Sequence, residues 1–209
     1  MIRTGTIGRS VPRKDAPDKV HGRTRYTDDR AVPGLLFAAL VTSPHAHADI
    51  VEVDAEAARR DAGVRGVFTG ADFPGRVGLY LGDKPALAVD RVRYFGEPVV
   101  AVVADDDASA QRAARMVRVR YRELPVIRSP RDGLAPDAPI LHPQMADYVH
   151  IPAILPQPGT NVAHHTKIRK GDVEAGFAEA DAIVEASYSF PPADHAAMEP
   201  RIAIAEIRA

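Results

Sequence analysis

A mixed α/β fold is predicted by one stretch of the chain in which a strand, a helix and a second strand follow one another. Residues 99–104 are all apolar, which is typical of a strand buried on both faces of a sheet. The aspartates at 105–107 are good helix N-caps, and small apolar residues within 110–117 recur at the spacing of one helical face. Residues 117–122 then alternate between apolar and polar side chains, as a half-buried strand does. We therefore expect an α/β fold with helices packed on a mixed sheet (α+β mixed sheet).

Other elements follow from the same kinds of pattern. Further strands are predicted at residues 35–41, 50–53, 64–69, 161–169, 182–190 and 202–207. Asp54 and Asp172 are good caps, so short helices are expected over 55–60 and directly after 172. Glycine and proline recur through residues 1–34, where we expect no helix, and through 70–90, where we expect a loop. Eight prolines between 125 and 160 predict an extended connection and a domain boundary.

The composition excludes several classes of function. The chain has 209 residues, no cysteine, 27 basic and 28 acidic residues, and a net charge of -1. Without cysteine there are no disulfides, thiolate zinc sites, iron–sulfur clusters or cysteine nucleophiles on this chain, and a reducing, cytoplasmic setting is expected. A charge near zero lacks the basic field of a nucleic-acid binder. No apolar stretch approaches the roughly 20 residues of a membrane span, and no secretory signal is expected because the first 20 residues lack an apolar region.

Two acid- or histidine-rich stretches are candidate metal sites. His45 and His47 lie two residues apart with Asp49 close by, and the aspartates at 105–107 could attract a hard cation such as Mg²⁺. Hydrogen bonding of turn residues to the backbone explains the histidines more simply, and N-capping explains the aspartates. A small metal-dependent hydrolase built from these residues therefore stays a lesser alternative.

Other polar residues offer no complete active site. His164 and His165 would point to opposite faces of a strand, so they would not chelate one ion. His195 and Glu199 could meet on one helical turn, but the following proline disfavours helix there. Phosphate-binding, dinucleotide-binding and nucleophile-elbow motifs do not occur in the sequence. Residue chemistry alone predicts no catalytic residue and no metal ligand.

Several strings of the sequence, taken in order, are characteristic of one family. The strings are Asp18–Asp28, Pro33–Leu36, Ser43–Ala48, Val92–Ala104, Val119–Pro125, Gly171–Val173, Phe177–Asp181 and Met198–Pro200. In this order and spacing they resemble the start of the molybdopterin-binding large subunit of the xanthine dehydrogenase/aldehyde oxidase family. The resemblance covers essentially the whole chain. It assigns no chemical role to Ser43–Ala48, Gly96–Pro98 or Met198–Pro200.

The resemblance implies a domain organisation. Residues 1–17 would be an extended N-terminal arm, and residues 18–124 the α/β hammerhead domain of the family. Residues 125–160 would be the proline-rich connection, and residues 161–209 the beginning of the first molybdenum-cofactor-binding domain. The proline-rich stretch found independently falls at the implied boundary.

The resemblance also implies a reaction and partners. Such enzymes hydroxylate a carbon next to a heteroatom or carbonyl with oxygen from water, and a molybdenum–molybdopterin centre, in bacteria a dinucleotide form, accepts the electrons. Iron–sulfur clusters and FAD would lie on partner chains, which the lack of cysteine here permits. Residues 171–181 and 5–8 also look like 4-hydroxybenzoyl-CoA reductase, which runs the chemistry reductively.

The family's glycine-rich cofactor loop and its catalytic glutamate motif do not occur in this sequence. The resemblance therefore carries over no catalytic residue, and the cofactor-binding residues are unknown. We expect the N-terminal portion of a catalytic subunit, either an engineered fragment or one product of a split gene, which is inactive without the remainder of the subunit. The alternative is a free-standing, non-catalytic interaction module on the hammerhead fold, whose last strand could pair with a partner.

Overall fold

The computed structural model describes residue 5, residues 7–199 and residues 201–207. The motif residues Thr6 and Pro200 lie outside these described residues. The strands are β1 Phe37–Thr42, β2 Ala48–Asp54, β3 Val64–Thr69, β4 Arg76–Val77, β5 Lys84–Pro85, β6 Arg91–Val92, β7 Pro98–Ala104 and β8 Arg118–Glu123. The helices are α1 Ala16–Val20, α2 Glu56–Arg59, α3 Asp107–Ala114, α4 Pro130–Gly133 and α5 Val173–Glu179, with 3-10 turns at Thr27–Asp29, Gly70–Asp72 and Met145–Asp147.

The predicted strand–helix–strand stretch forms the centre of the fold. Strand β7 lies between β1 and β3 in an antiparallel sheet, with Val102 opposite Ala39 on one side and Val67 on the other. These three side chains are buried on the face that α2 and α3 help to cover. On the opposite face Val99 is buried and Val103 is half-buried, so that face is fully enclosed only near the start of the strand.

Helix α3 begins where the aspartates predict it. The Asp106 carboxylate accepts the Ser109 backbone N–H at 2.8 Å, and Ala110 and Ala113 face the core with no exposed surface. This N-cap satisfies one of the amide donors that the first helical turn leaves free. The following strand, β8, pairs with β2 in a second antiparallel sheet of order β6-β2-β8. The predicted mixed α/β class is confirmed.

Three predicted strands are absent from the structure of the described residues. Residues 161–169, 182–190 and 202–207 form no strand, and every described side chain from 163 onward is exposed. A strand needs backbone partners on a neighbouring strand, and these residues find none within the described part of the chain. An alternating pattern therefore indicates which side chains a sheet would bury, but a strand forms only when a neighbouring strand is present to pair with it.

Smaller corrections concern segments predicted to be irregular. Helix α1 lies within the stretch expected to be free of helix, because Pro17 stands in the first turn, where proline costs no hydrogen bond. The predicted loop at 70–90 contains the short β4–β5 pair, and the predicted connection at 125–160 contains α4 and a 3-10 turn. Asp54 accepts the Glu56 N–H at 3.1 Å, although Ala55 is the N-cap of α2.

The chain divides into two compact units. One is Gly34–Ala175, which holds both three-stranded sheets, and the other combines Met1–Pro33 with Gly176–Ala209. Within the described residues, no helix has the length and apolar character that crossing a membrane requires.

Candidate functional site

The structure brings together two of the sequence motifs that characterise the family resemblance, Ser43–Ala48 and Gly96–Pro98. The Ser43 N–H donates to the Glu97 carbonyl at 2.9 Å, and the Gly96 N–H donates to the Ser43 carbonyl at 2.9 Å. Gly96 has a φ of 84°, a conformation that side-chain-bearing residues rarely adopt, and it lets the turn close onto Ser43. The end of β1 and the start of β7 are thereby joined.

Glu97 is a buried carboxylate within this junction. The residue is 5% exposed, and its carboxylate accepts the Arg93 backbone N–H at 2.5 Å. Burial raises the pKa of Glu97, and the hydrogen bond from the Arg93 backbone N–H opposes that rise. A buried carboxylate that accepts backbone N–H groups stabilises a turn, which is the role that the contacts of Glu97 indicate.

His45 and His47 have different partners. The Nδ1 of His47 lies 2.6 Å from the Pro125 carbonyl, which can only accept, so Nδ1 is the donor of this hydrogen bond. The His47 Nε2 is buried and has no hydrogen-bond partner among the described residues. The His45 ring packs against Tyr121 with 5.0 Å between ring centroids, and its Nδ1 lies 3.5 Å from a carboxylate oxygen of Glu123.

The Tyr121 hydroxyl is a second buried polar group in this region. It forms no hydrogen bond of standard geometry within the described structure. Burial raises the pKa of Tyr121, and the neighbouring Ser43 side chain opposes that rise. Sequence reasoning treated Tyr121 only as one residue of an alternating strand. The alternation shows that the ring faces inward, but it carries no information on what surrounds the hydroxyl.

Three of the acidic candidates, Asp49, Asp105 and Asp106, form structural contacts. Asp49 accepts hydrogen bonds from Arg91 at 2.7 Å and Arg122 at 2.6 Å, and these two guanidinium groups lower the pKa of Asp49. Asp105 forms a bidentate pair with Arg65 at 2.6 and 2.8 Å. Across the residues with a described position, no group of three or more His, Cys, Asp or Glu side chains could hold a metal ion.

The contacts described for His164 are local ones, and none is described between His195 and Glu199. His164 accepts the Leu155 N–H at 3.1 Å through Nδ1 and lies 2.8 Å from the Thr166 hydroxyl through Nε2. His195 and Glu199 are both exposed, and no hydrogen bond between them occurs in the described structure. Within the part of the chain that the structure describes, His195 and Glu199 are therefore not paired as an acid and a base.

Two residues to which the sequence assigned no role, Arg93 and Asn161, bind the same backbone. Arg93 Nε donates to the Leu141 carbonyl at 2.8 Å, and the Leu141 N–H donates to Asn161 Oδ1 at 2.9 Å. The Asn161 Nδ2 donates to the carbonyls of Gly133 and Pro139 at 3.1 and 3.0 Å. The partners of Arg93 and Asn161 are backbone groups, which every residue has, so the sequence contains no signal that would predict these contacts.

Comparison with known proteins identifies the chain's relatives. The aldehyde oxidase and xanthine dehydrogenase a/b hammerhead domain matches residues 21–125, and the molybdopterin cofactor-binding domain matches residues 154–209. The xanthine dehydrogenase molybdenum-binding subunit of Escherichia coli O157:H7 is 34% identical over 90% of this chain and 24% of its own length. The nicotine 6-hydroxylase large subunit of Paenarthrobacter nicotinovorans is 34% identical over 98% of this chain and 25% of its own length.

Solved structures agree with the sequence relatives. Reconstituted CO dehydrogenase from Oligotropha carboxidovorans has a TM-score of 0.59 and 35% identity, over 67% of this chain and 18% of that one. The chain spans about a quarter of the length of the curated relatives it matches. The resemblance seen in the ordered motifs is confirmed: the chain belongs to the aldehyde oxidase and xanthine dehydrogenase family, through its a/b hammerhead domain.

Proposed function

We propose that this chain provides the hammerhead domain and the beginning of the first cofactor-binding domain of a molybdenum hydroxylase catalytic subunit. The observation that carries the proposal is the order of the two family matches, hammerhead at 21–125 and molybdopterin cofactor-binding at 154–209. The domain limits proposed are an arm at 1–17, the hammerhead at 18–124, the connection at 125–160 and the partial cofactor domain at 161–209.

The reaction proposed for the assembled enzyme is the oxidative hydroxylation of a carbon next to a heteroatom or a carbonyl. Water supplies the oxygen, the substrate C–H bond is replaced by C–OH, and two electrons and two protons are released. Relatives named as xanthine dehydrogenase and nicotine 6-hydroxylase subunits support this class of oxidoreductase. The reductive chemistry of 4-hydroxybenzoyl-CoA reductase stays a prediction from the strings at 5–8 and 171–181.

The described residues do not by themselves fit a molybdopterin group. A ligand of that size with an anionic phosphate needs converging donors in a walled cavity. All described side chains in 163–199 and 201–207 are exposed, and the clefts that Arg201–Ala203 and His164–Lys167 help to line are open to solvent, so they lack the walls that such a ligand needs. We therefore derive no chemical step through the cofactor and propose that this chain scaffolds it and is inactive alone.

The proposed partners are the remainder of the molybdopterin-binding subunit, an iron–sulfur subunit and an FAD subunit. Several relatives are named as subunits of larger enzymes, which supports a multi-chain assembly. The molybdenum would be held as a molybdopterin dinucleotide, and the complex would work in the cytoplasm. No nucleic acid and no membrane is among the proposed partners.

Reconstitution tests this proposal. The chain is produced alone and together with the polypeptides encoded beside it, and each preparation is assayed for oxidation of aldehydes and N-heterocycles with an artificial electron acceptor. We expect activity from the combined preparation only. Turnover by the isolated chain with stoichiometric molybdenum would contradict the scaffold role, and an inactive, molybdenum-free combined preparation would contradict the family activity.

A free-standing interaction module is the second candidate. The observation in its favour is the strong exposure of apolar side chains late in the chain, including Val184, Tyr188 and Phe190. An apolar, alternating segment can add to the edge of a partner's sheet. An isolated gene, with no neighbouring frame for the missing cofactor domains, would favour this candidate.

A further inference from the structure

The backbone of Leu141 is held from two sides. Its carbonyl accepts from Arg93, which lies within the hammerhead match, and its N–H donates to Asn161, which lies within the cofactor-binding match. The distances are 2.8 and 2.9 Å, which are ordinary lengths for strong N–H···O bonds. One residue of the connecting segment therefore joins the two matched segments.

Both side chains that hold Leu141 are themselves fixed. The Arg93 backbone N–H binds the buried Glu97 carboxylate, and an Arg93 guanidinium nitrogen also donates to the Arg91 carbonyl at 3.2 Å. Asn161 uses its amide nitrogen for the carbonyls of Gly133 and Pro139. A side chain restrained at several points loses little further freedom when it makes one more hydrogen bond, so the contact is well defined.

The connecting segment has further attachments to the hammerhead match. His47 binds the Pro125 carbonyl, the Gly82 N–H donates to the Val149 carbonyl at 2.8 Å, and the Ile151 N–H donates to the Tyr80 carbonyl at 3.1 Å. The segment is thus anchored near its start and near its end, and Arg93 and Asn161 anchor its middle. A proline-rich segment held in this way behaves as a rigid spacer and not as a flexible linker.

We propose that Arg93 and Asn161 are positioning residues. By hydrogen-bonding to the Leu141 backbone, they fix the connection between the hammerhead and the cofactor-binding segment. The hydrogen-bonded path runs from Glu97 through Arg93 and Leu141 to Asn161. It gives the Gly96–Pro98 motif a role, because the carboxylate of Glu97 fixes the turn from which Arg93 reaches across. The inference rests on the proposed function, since a positioning role presumes that both matched segments serve one cofactor site.

Amide hydrogen exchange at Leu141 in the 209-residue chain tests these two hydrogen bonds directly. Asn161→Ala and Arg93→Met are each expected to speed exchange of the Leu141 amide about tenfold, the effect of losing one net hydrogen bond. Arg93→Lys retains a donor for the Leu141 carbonyl and is expected to restore much of the protection lost in Arg93→Met. Unchanged exchange in Arg93→Met or in Asn161→Ala would overturn the proposal.

Matched controls remove the same groups from exposed positions nearby. Gln157→Ala removes a carboxamide and Arg128→Met removes a guanidinium, and neither should change Leu141 exchange by more than about twofold. If Asn161→Ala does not fold, Asn161→Asp replaces it, because it keeps the acceptor for Leu141 and loses both donated bonds. Because the Gly133 and Pro139 carbonyls lose their donor, Asn161→Asp is expected to speed proteolysis between 130 and 142. Wild-type resistance would mean that Asn161 does not hold the connecting segment and would overturn the proposal.

The assembled complex supplies a separate readout. Arg93→Met, which removes the bond to the Leu141 carbonyl, is expected to lower the molybdenum content per complex at unchanged subunit stoichiometry, whereas the Arg128→Met control is expected to leave it unchanged. An unchanged molybdenum content in Arg93→Met would contradict the positioning role. A wild-type complex without molybdenum would instead contradict the proposed function. The exchange result on the chain alone would still decide whether Arg93 and Asn161 hold the Leu141 backbone.

Discussion

The central strand of the first sheet offers the sharpest test of the fold. Val102 has 0% exposed surface and lies between Ala39 and Val67, whereas its neighbour Val103 faces the other side of the sheet and is half-buried. Replacing each valine by alanine makes the same chemical change and the same loss of strand propensity at adjacent positions. The difference between the two variants therefore reports burial alone.

The expected magnitude for Val102→Ala follows from the groups removed. Loss of buried methyl groups costs about 0.8 kcal/mol each, or roughly 1.6 kcal/mol. A residual cavity of up to about 50 Å³ adds roughly 1 kcal/mol at about 24 cal/mol per Å³. We expect Val102→Ala to lower the free energy of unfolding by about 2–3 kcal/mol and Val103→Ala by about 1 kcal/mol or less.

Urea unfolding monitored by circular dichroism measures the decrease in the free energy of unfolding for both alanine variants. Equal m-values, the slopes of that free energy against urea concentration, would confirm that the unfolded states are alike. Val102→Asp extends the series, because an unpaired buried carboxylate costs several kcal/mol and would leave little of an ordinary domain's stability. Equal losses in the two alanine variants, or a Val102→Asp variant with wild-type stability, would refute the strand assignment.

Three further variants test the polar contacts. Glu97→Gln keeps an oxygen for the Arg93 N–H. Because burial raises the pKa of Glu97 above its ordinary 4.5, the stability that the protonated form confers is lost as pH rises through the raised pKa, so Gln should flatten that fall in pH-dependent melting, and an unchanged pH profile would contradict the burial of this carboxyl. Asp49→Asn weakens two arginine contacts and should lower the free energy of unfolding by about 1–2 kcal/mol at pH 7. Because the pKa of Asp49 lies below its ordinary 3.8, the stabilisation by the ionised form disappears as pH falls through the lowered pKa. A difference in stability between Asp49→Asn and the wild type that persists after full protonation would contradict the pairing. Tyr121→Phe removes a buried hydroxyl without a standard hydrogen bond, so the free energy of unfolding should stay unchanged or rise by about 1 kcal/mol. A decrease of more than about 1 kcal/mol in thermal unfolding would mean that the hydroxyl makes a stabilising hydrogen bond.

The elements predicted correctly are those whose causes are local. Residues 99–104 carry their own burial pattern, and Asp106 caps a helix through an amide three residues away. The predicted strand at 182–190 failed because its alternation describes a surface that a sheet would bury, while the partner strand is absent from the described residues. A pattern therefore predicts an element reliably only when the chain also supplies the surface that the element packs against.

The polar site was predictable only in part. The motif loops Ser43–Ala48 and Gly96–Pro98 were identified by resemblance, and their mutual hydrogen bonds appeared only in the structure. Asn161 reaches backbone groups 20 to 28 residues earlier in the chain, and such partners carry no side-chain signature. Long-range contacts of this kind depend on the tertiary path of the chain, which neither spacing nor composition encodes.

Molybdenum content tests the central claim most directly. The chain is tagged at its chromosomal locus, purified from its native host under mild conditions, and analysed for bound subunits and for molybdenum by mass spectrometry. If this chain is part of a molybdenum hydroxylase, it will copurify with a polypeptide carrying the remaining cofactor domains, at about one molybdenum per catalytic assembly. Recovery of the chain in its native state without molybdenum, and without such a polypeptide, would contradict the account.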